Sequence, residues 1–460
     1  METDYNLKEA LYSRFIVPTI GKTADYIGVE TEIPIVDLSG NAVDYDAVHQ
    51  MTEEFIEYFG FGGTVRDDDG HAYFAEDKTT GDTISFDCSY NTFEIAFGKE
   101  TDLNDIAERF YAYFGFADDH LRRRGLALTG MGINPGHKVN SREPVANGRY
   151  RMLLHHLDSY KRYGKEYHFH DVPYYGLIVC STQTHIDVSA DDLIDTMHTF
   201  ERLEPFKGLL FANSPYEGGY LCARDHFWRD STHGVNPRNV DFWGEEIRTA
   251  EGVVDYLSKM SLFCAERDGK YIHFVPLPLD EYFGRCSITG EYYEDGQWKT
   301  IEFAPRSTDL KYLRSYKLVD LTFRGTLELR SACTQPIYQV MSVPAFNIGI
   351  RDNREAVKQI LDESGLFGQG YSLDELRRMS VMRDVPDFMQ GSRISETLLK
   401  LLEAARNGLL QRGKGEEKFL EPLYERAERV LSPGRELVEG LENGKTIEQY
   451  IDLYGYAGVR

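Results

Sequence analysis

Carboxylates in three widely separated segments of the chain are the side chains best suited to carry chemistry. They are Glu30, Glu32, Asp87, Glu94 and Glu328. Carboxylates that are brought together repel one another unless cations lie among them. Oxygen ligands suit Mg²⁺ or Mn²⁺, and protein-bound Mg²⁺ is commonly shared with the phosphates of a substrate. The acidic set therefore predicts divalent-metal chemistry on a phosphate-bearing substrate.

The spacing within two of these segments indicates β-strands. Glu30 and Glu32 are two positions apart, and two is the side-chain period of a strand. The same spacing separates Glu328 from Arg330. Each pair is therefore expected to project from one face of a sheet. We predict that the alternate positions face the core; these are Val29, Thr31, Leu327 and Leu329.

Periodicity and turn signals divide the chain into a mixed first part and a helical last part. We predict helices over residues 45–60, 149–158, 191–204, 353–364, 372–379, 393–411 and 416–431, and one that opens at residues 101–102. Strand character is predicted over residues 82–97, 126–129, 174–188 and 310–345. We therefore predict a catalytic domain over residues 1–350 and a helical region over residues 351–460 packed on it.

The composition excludes several classes of protein. Hydrophobic residues make up 42% of the 460 residues, which predicts a sizeable core. A net charge of −24 repels polyphosphate backbones, so we predict no nucleic-acid partner. No segment approaches the ~20 apolar residues of a membrane span, so we predict no membrane partner. The polar start at residues 1–5 and six scattered cysteines predict a cytoplasmic protein with reduced thiols.

Six short segments follow one another in a recognisable order. They are residues 27–32 (Ile-Gly-Val-Glu-Thr-Glu), 147–150 (Asn-Gly-Arg-Tyr), 181–187 (Ser-Thr-Gln-Thr-His-Ile-Asp), 211–215 (Phe-Ala-Asn-Ser-Pro), 220–228 (Tyr-Leu-Cys-Ala-Arg-Asp-His-Phe-Trp) and 325–330 (Gly-Thr-Leu-Glu-Leu-Arg). Together they resemble the glutamate–cysteine ligase family of γ-glutamyl carboxylate–amine ligases over most of residues 25–340. The pattern is most similar to the branch that includes plant enzymes, although His185 stands where that branch often has asparagine.

The resemblance implies an α+β fold related to glutamine synthetase. In that fold a curved, mostly antiparallel sheet forms a funnel flanked by helices, with a helical C-terminal region here. ATP, as co-substrate, and L-glutamate would meet at the bottom of the funnel with Mg²⁺, or Mn²⁺, between them. The γ-carboxylate would take the γ-phosphoryl group, and the amine of L-cysteine would then displace phosphate to give γ-glutamylcysteine and ADP. The partners implied are these small molecules, for a monomer or homodimer.

The resemblance also implies which residues hold the divalent ions. Four acids are carried over directly: Glu30, Glu32, Glu94 and Glu328. Asp87 joins the predicted metal ligands because one branch of the family has a further acid at this spacing, and the strand there can contain a bulge. His185 is predicted to ligate a metal or to contact substrate, because it shares a strand face with Gln183 and Asp187.

Three arginines are the predicted anion-binding residues. A guanidinium group binds carboxylates and phosphates through parallel donors. By resemblance, Arg149 and Arg224 would bind glutamate or the transferring group, and Arg330 would bind the ATP phosphates. Arg149 and Arg330 are the predicted catalytic residues. Tyr150 and Gln183 are predicted to line the substrate pocket.

Other functions fit parts of the same pattern. The pocket for the acceptor amine is the least recognisable part of this resemblance. The same ligase chemistry with another amino acid or small amine as acceptor therefore stays open. A non-catalytic metal- or nucleotide-binding protein and a guanidino kinase similar to creatine kinase are further alternatives. A lone glutamate more often lies on a solvated strand face, and Arg330 beside Glu328 can be a plain ion pair. The whole set in matched order is what favours the ligase.

Overall fold

The computed structural model describes residues 6–22 and 26–458. The polar start at residues 1–5 lies outside the described residues. The described strands are β1 Ile27–Asp37, β2 Val65–Arg66, β3 Ala72–Glu76, β4 Thr83–Ser85, β5 Thr92–Ala96, β6 Leu126–Leu128, β7 Thr182–Asp187, β8 Ser261–Arg267, β9 Lys270–Pro278, β10 Ile288–Glu294, β11 Gln297–Phe303, β12 Val319–Leu321 and β13 Thr326–Leu329.

These strands form two antiparallel sheets. The larger sheet has the order β12-β13-β7-β1-β5-β4-β3-β2, and β6 also pairs with β1. The smaller sheet has the order β11-β10-β9-β8. The long strand β1 pairs with β5, β6 and β7, so its residues lie in the middle of the larger sheet.

Helices flank the sheets and dominate the C-terminal part. The described α-helices are α1 Leu7–Leu11, α2 Tyr45–Phe59, α3 Leu103–Arg122, α4 Gly148–Asp158, α5 Leu193–Phe211, α6 Ala223–Arg229, α7 Ala250–Ser258, α8 Leu279–Gly284, α9 Ser342–Asp352, α10 Arg354–Glu363, α11 Leu373–Ser380, α12 Gly391–Arg412, α13 Glu421–Arg429, α14 Pro433–Glu442 and α15 Ile447–Gly455. The α+β class with a mostly antiparallel sheet, flanking helices and a helical C-terminal part is confirmed. Among the described helices, none is both long enough and apolar enough to cross a bilayer.

The alternation predicted for the acidic strands is confirmed. Val29 and Thr31 on β1 and Leu327 and Leu329 on β13 are fully buried. Burying the apolar residues of one sheet face in the core fixes the register, because a slip by one residue would turn every side chain to the other face. The acidic residues at the intervening positions are therefore held on the opposite face.

The helical C-terminal part packs directly on the larger sheet. The Nδ2 group of Asn347 on α9 donates to Oγ1 of Thr184 on β7 at 3.0 Å. Helices α9 and α12 cross closely, since a Cβ on Gly408 would lie 2.1 Å from the carbonyl oxygen of Gly349. Helices α14 and α15 cover Ala127 on β6. The division into units at residue 350 stays a prediction.

Several predicted boundaries differ from the structure. The strand predicted over residues 82–97 is divided into β4 and β5 by an irregular segment, and the strand over residues 174–188 is ordered as β7 only from Thr182. Helix α5 continues to Phe211 beyond Pro205, because the residues after the proline are buried. Sheet character over residues 310–345 is limited to β12 and β13, and α14 and α15 were not predicted.

Candidate active site

Strand register brings the predicted metal ligands onto one face of the larger sheet. Glu328 on β13 lies opposite His185 on β7, and His185 lies opposite Gly28 on β1. Glu32 on β1 lies opposite Glu94 on β5. Directly opposed residues in an antiparallel pair project from the same face. Acids that are up to three hundred residues apart in the chain therefore become neighbours.

The first group of ligand atoms comes from Glu30, His185 and Glu328. One ligand atom from each lies within 4.8 Å of the other two. The His185 Nε2 atom is 2.9 Å from Glu30 Oε1. Gly28 leaves room for the imidazole, because a Cβ there would lie 3.3 Å from His185 Cβ. Two carboxylates and one imidazole are a donor set that divalent ions accept.

The second group comes from Glu32, Asp87 and Glu94, again with one oxygen from each within 4.8 Å of the others. Asp87 reaches this group from the segment between β4 and β5, where Cys88 adopts the left-handed conformation with φ 61°. A turn in that segment, rather than the predicted bulge, therefore brings Asp87 beside Glu94. An all-oxygen donor set suits Mg²⁺ or Mn²⁺.

Polar neighbours hold Glu32 in a single orientation. The Ser181 backbone N–H and its hydroxyl donate to Glu32 Oε2 at 2.7 and 3.0 Å. Gln183 Nε2 donates to Glu32 Oε1 at 3.2 Å. Gln183 is buried, so in the structure it supports a candidate metal ligand; its predicted contact with substrate stays a prediction. Such outer contacts orient metal ligands and commonly change metal affinity about 10–100-fold when they are lost.

The electrostatics of the second group fit a cation. Burial and the nearby Asp87 carboxylate raise the pKa of Glu32 to about 7, despite the opposing effect of Arg224. Burial, and then Asp87, raise the pKa of Glu94 well above its usual range. Burial also raises the pKa of Asp87. Three crowded carboxylates that resist ionisation are expected to ionise together when a divalent ion lies among them.

In the first group, positively charged neighbours offset the charge of the carboxylates. Burial opposes the ionisation of Glu30, but His185, Arg330 and Arg324 together lower the pKa of Glu30 to about 2. Burial opposes the protonation of His185, but Glu30 and Glu328 raise its pKa above the usual value. Without a metal, a protonated His185 can therefore supply the positive charge that a divalent ion would supply when bound.

We expect a pH-dependent stabilisation by Mg²⁺ that depends on Glu32. Because the pKa of Glu32 is about 7 in the folded chain against an ordinary value of 4.5, its neutral form stabilises the fold fully below about pH 4.5. That contribution is lost as pH rises through 7, where Mg²⁺ binds the ionised form. Glu30 has a lowered pKa, so its ionised form stabilises the fold above about pH 4.5. That contribution is lost only as the pH falls below 4.5, outside the range tested.

Chemical denaturation from about pH 5 to about pH 8, with and without Mg²⁺, measures this effect. The stabilisation by Mg²⁺ should increase across this range in the native chain and increase less steeply in Glu32→Gln, where only Glu94 and Asp87 of this group still have raised pKa values. The exposed Glu143→Gln variant is the control and should keep the native slope. Equal slopes in native chain and Glu32→Gln would contradict the assignment.

Arg330 is a partly buried residue beside the first group of ligand atoms. Its Nε is 3.3 Å from Glu328 Oε1, and its Nη1 donates to the carbonyl of Ser315 at 3.1 Å. The indole of Trp228 lies 6.0 Å from the guanidinium carbon. These contacts hold a positive charge beside the first group of ligand atoms, where anionic phosphate oxygens would be stabilised.

Two cavities meet at the predicted arginines. A cavity of about 380 Å³ contains Glu30 and Glu328, and a second cavity of about 220 Å³ contains Asp87. The residues that line both are Arg149, Arg314, Ser315 and Arg330. The arrangement offers one compartment beside each acidic group, with guanidinium groups at the junction. Two anionic molecules or groups could thus be held side by side.

The remaining predicted residues lie at different depths. Arg149 follows the N-cap Asn147 in the first turn of α4 and is open to solvent within the cavities, next to the buried Tyr150. Arg224 is 3% exposed, and its Nη1 donates to the carbonyl of Arg330 at 2.5 Å. Arg224 lines neither of the two cavities. It supports the backbone at Arg330, directly after β13, and its predicted contact with substrate stays a prediction.

Three residues of the site were not found from the sequence. Asp320 on β12 lies opposite Glu328, and burial and Glu328 raise the pKa of Asp320 to about 6. Arg314 and Arg324 add positive charge to the larger cavity. An acid inside the apolar run Leu318–Leu321 was the available signal for Asp320. Neither arginine stands in a pattern that marks it.

The sequence matches a known family over nearly its whole length. The model of glutamate-cysteine ligase family 2 matches residues 26–452. The chain belongs to this family. The tobacco chloroplastic glutamate–cysteine ligase is 25% identical over 333 residues, 70% of this chain and 58% of the relative. The rice (indica) chloroplastic glutamate–cysteine ligase A is 23% identical over 330 residues, 69% of this chain and 61% of the relative. The chain therefore spans about three fifths of the length of these relatives.

Solved structures show a weaker likeness. The Francisella tularensis glutamate–cysteine ligase in complex with AMP has a TM-score of 0.49 and 12% identity, and the match covers 95% of this chain and 88% of that one. For a bifunctional glutathione synthetase from Pasteurella multocida the TM-score is 0.46 at 12% identity, with coverage of 98% and 53%. Family membership rests on the sequence match alone.

Proposed function

We propose that the chain is an ATP-dependent ligase that joins the γ-carboxylate of L-glutamate to the amine of L-cysteine. The observation that carries the proposal is the presence of two three-residue ligand groups on one sheet face, with Arg330 beside one of them. This arrangement suits the transfer of a phosphoryl group, which mainly requires positioning and neutralisation of charge. The product, γ-glutamylcysteine, belongs to glutathione biosynthesis.

The two ligand groups would hold divalent ions, and the all-oxygen group suits Mg²⁺ or Mn²⁺. Glu32, Asp87 and Glu94 would hold one ion, and Glu30, His185 and Glu328 another. Bound there, the ions would neutralise charge on the ATP phosphates and on the γ-carboxylate. The protein's own contribution is to keep these side chains in place from the sheet, with Ser181 and Gln183 orienting Glu32. Donors fixed before substrate binds need little reorganisation during the reaction.

Each of two arginines would bind a different anionic group. Arg330 would stabilise the γ-phosphoryl group as it moves from ATP to the γ-carboxylate oxygen of glutamate. Arg149 stands at the N-terminus of α4, where the helix dipole also favours an anion, and would hold a glutamate carboxylate beside Tyr150. A carboxylate oxygen is a poor leaving group. Once it is phosphorylated, it can leave as phosphate. The amine then attacks the acyl carbon, and phosphate leaves.

The finer assignments are part of the same proposal. They comprise the two-part organisation at residue 350, Mg²⁺ or Mn²⁺ as the divalent ion, and a monomer or homodimer in the cytoplasm. The six cysteines, scattered through the sequence, support a reducing compartment. Two of them, Cys222 and Cys333, have sulfur atoms 3.4 Å apart in the buried interior. The chloroplastic location in the names of the plant relatives belongs to those relatives.

An ADP-release assay with a panel of amines tests the proposal. We expect ADP and phosphate release that requires L-glutamate and an acceptor amine, with L-cysteine preferred, and a product with the mass of γ-glutamylcysteine. Equal turnover across the panel would refute the choice of cysteine but keep the ligase. Phosphorylation of a guanidine without an amine would identify a kinase. The absence of any glutamate-dependent turnover would leave a binding protein.

A further inference from the structure

A third group of potential metal ligands lies outside the candidate active site. It consists of His155 in the last turn of α4, His273 on β9 and Glu291 on β10. One ligand atom from each lies within 4.8 Å of the other two. His155 Nε2 is 2.9 Å and His273 Nδ1 is 3.9 Å from Glu291 Oε2. The three side chains thus converge from a helix and two strands.

An unpaired buried nitrogen points into this group. His273 is only 2% exposed, and its Nδ1 has no hydrogen-bond partner among the described residues. A buried polar atom without a partner is costly. The other ring nitrogen, Nε2, lies 3.1 Å from Nδ1 of the buried His156. If His273 donates its proton from Nε2 to His156, its Nδ1 carries a free lone pair directed at Glu291.

This is the arrangement that metal-binding histidines commonly have. Such a histidine binds the metal through one ring nitrogen and donates a hydrogen bond from the other, which fixes its tautomer. For tetrahedral Zn²⁺ with ligand bonds of about 2.0–2.1 Å, neighbouring ligand atoms are about 3.3 Å apart. The separations of the two histidine nitrogens from Glu291 Oε2, 2.9 and 3.9 Å, lie on either side of that value, and the two nitrogens are within 4.8 Å of one another. Side-chain shifts of about 1 Å would therefore complete the site.

We propose that His155, His273 and Glu291 bind Zn²⁺. Two imidazoles and one carboxylate suit zinc, whereas Mg²⁺ prefers oxygen ligands. His155 and Glu291 are partly exposed, at 17% and 30% of their side-chain areas, so solvent has access to the site and can supply a fourth ligand. The binding of Zn²⁺ is independent of the proposed ligase activity.

Arg162 is the competitor for the carboxylate. Its Nη1 and Nη2 donate to the two oxygens of Glu291 at 2.8 and 3.3 Å. The Arg162 side chain is half exposed and can turn into solvent when a metal takes Glu291. Trp298 stacks on the His155 ring with centroids 3.7 Å apart, which keeps the imidazole in place during that exchange.

The ion would link the end of α4 to the smaller sheet. The first turn of the same helix carries Arg149, which lines both cavities of the candidate active site. Zinc would therefore fix the position of a predicted catalytic arginine from about two turns away along the helix. This consequence rests on the proposed function, whereas the metal site does not.

Titration of Zn²⁺ into the full chain tests the site, after chelator treatment and in excess Mg²⁺. We expect His155→Gln and Glu291→Gln to weaken Zn²⁺ binding about tenfold or more. Arg162→Gln should tighten binding, because it removes the competitor. Glu294→Gln, on the same strand, is the control and should bind as the native chain does.

The His185→Gln variant separates this site from the candidate active site. We expect it to keep the Zn²⁺ binding that His155→Gln loses, and thermal unfolding in Zn²⁺ should show the same pattern. If His185→Gln loses Zn²⁺ binding while His155→Gln retains it, the ion binds in the active site and the proposal is wrong. Equal binding by the native chain, His155→Gln and Glu291→Gln would also overturn it. A failure of ligase activity alone would leave the zinc result intact.

Discussion

Glu328→Gln should lower glutamate-dependent ADP release by about 10²–10³-fold, as the loss of a preorganised charge beside transferred groups typically does. The carboxylate of Glu328 belongs to the ligand group with Glu30 and His185, and its Oε1 is 3.3 Å from the Arg330 Nε. Glutamine keeps the shape of the side chain but removes the negative charge. Both the divalent ion and Arg330 would then lose a counter-charge inside a buried site.

A titration with Mg²⁺ distinguishes metal binding from misfolding in this experiment. If Glu328 is a metal ligand, Glu328→Gln should need more Mg²⁺ for half-maximal rate while it still unfolds in a single cooperative thermal transition in the absence of metal. Glu302→Gln removes an exposed glutamate from the smaller sheet and should behave as the native chain does. Native turnover in Glu328→Gln would refute the metal assignment.

Arg330→Lys should lower kcat by about 10³-fold or more, with a smaller change in the KM for glutamate. An arginine that stabilises a transferring phosphoryl group typically contributes about 10³–10⁵ in rate. Lysine keeps the charge but lacks the planar fork of donors that also binds the carbonyl of Ser315. Because Arg330 lines both cavities, the shape of its side chain affects the space available to both proposed substrates.

Single-turnover measurements with ATP and glutamate locate this loss in the phosphoryl-transfer step. The exposed Arg285→Lys variant is the matched control, since Arg285 pairs with Glu281 on α8 and touches neither cavity. Arg149→Lys is the informative companion, because an arginine that holds glutamate should change KM more than kcat. An Arg330→Lys variant with native kcat would leave only the ion pair with Glu328 as the role of this residue.

One helix connects the proposed Zn²⁺ site to the candidate active site. Helix α4 carries Arg149 at its N-terminus and His155 near its C-terminus. A rigid helix transmits a constraint at one end to the other end, so Zn²⁺ at His155 and substrate at Arg149 can influence one another. If they do, each ligand must change the affinity for the other by the same factor.

The local pattern of the chain determined much of the fold and of the acidic site. A period of two placed Glu30 and Glu32 on one strand face, and the buried alternate positions fixed that face. The caps at Asp102 and Gly60 marked helix ends, because an aspartate accepts the free N–H groups of a first turn and glycine adopts the left-handed conformation. Such signals act within a few residues, so they are readable from the sequence.

Tertiary structure alone decided which distant residues meet. Register between β13, β7 and β1 set Glu328 against His185 and both near Glu30, and the turn at Cys88 brought Asp87 to Glu32. Asp320, the buried position of Arg224 and the grouping of His155, His273 and Glu291 likewise depend on how elements pack. The physical reason is that strand pairing and helix docking are fixed by the total burial of the core, which no short stretch of sequence contains.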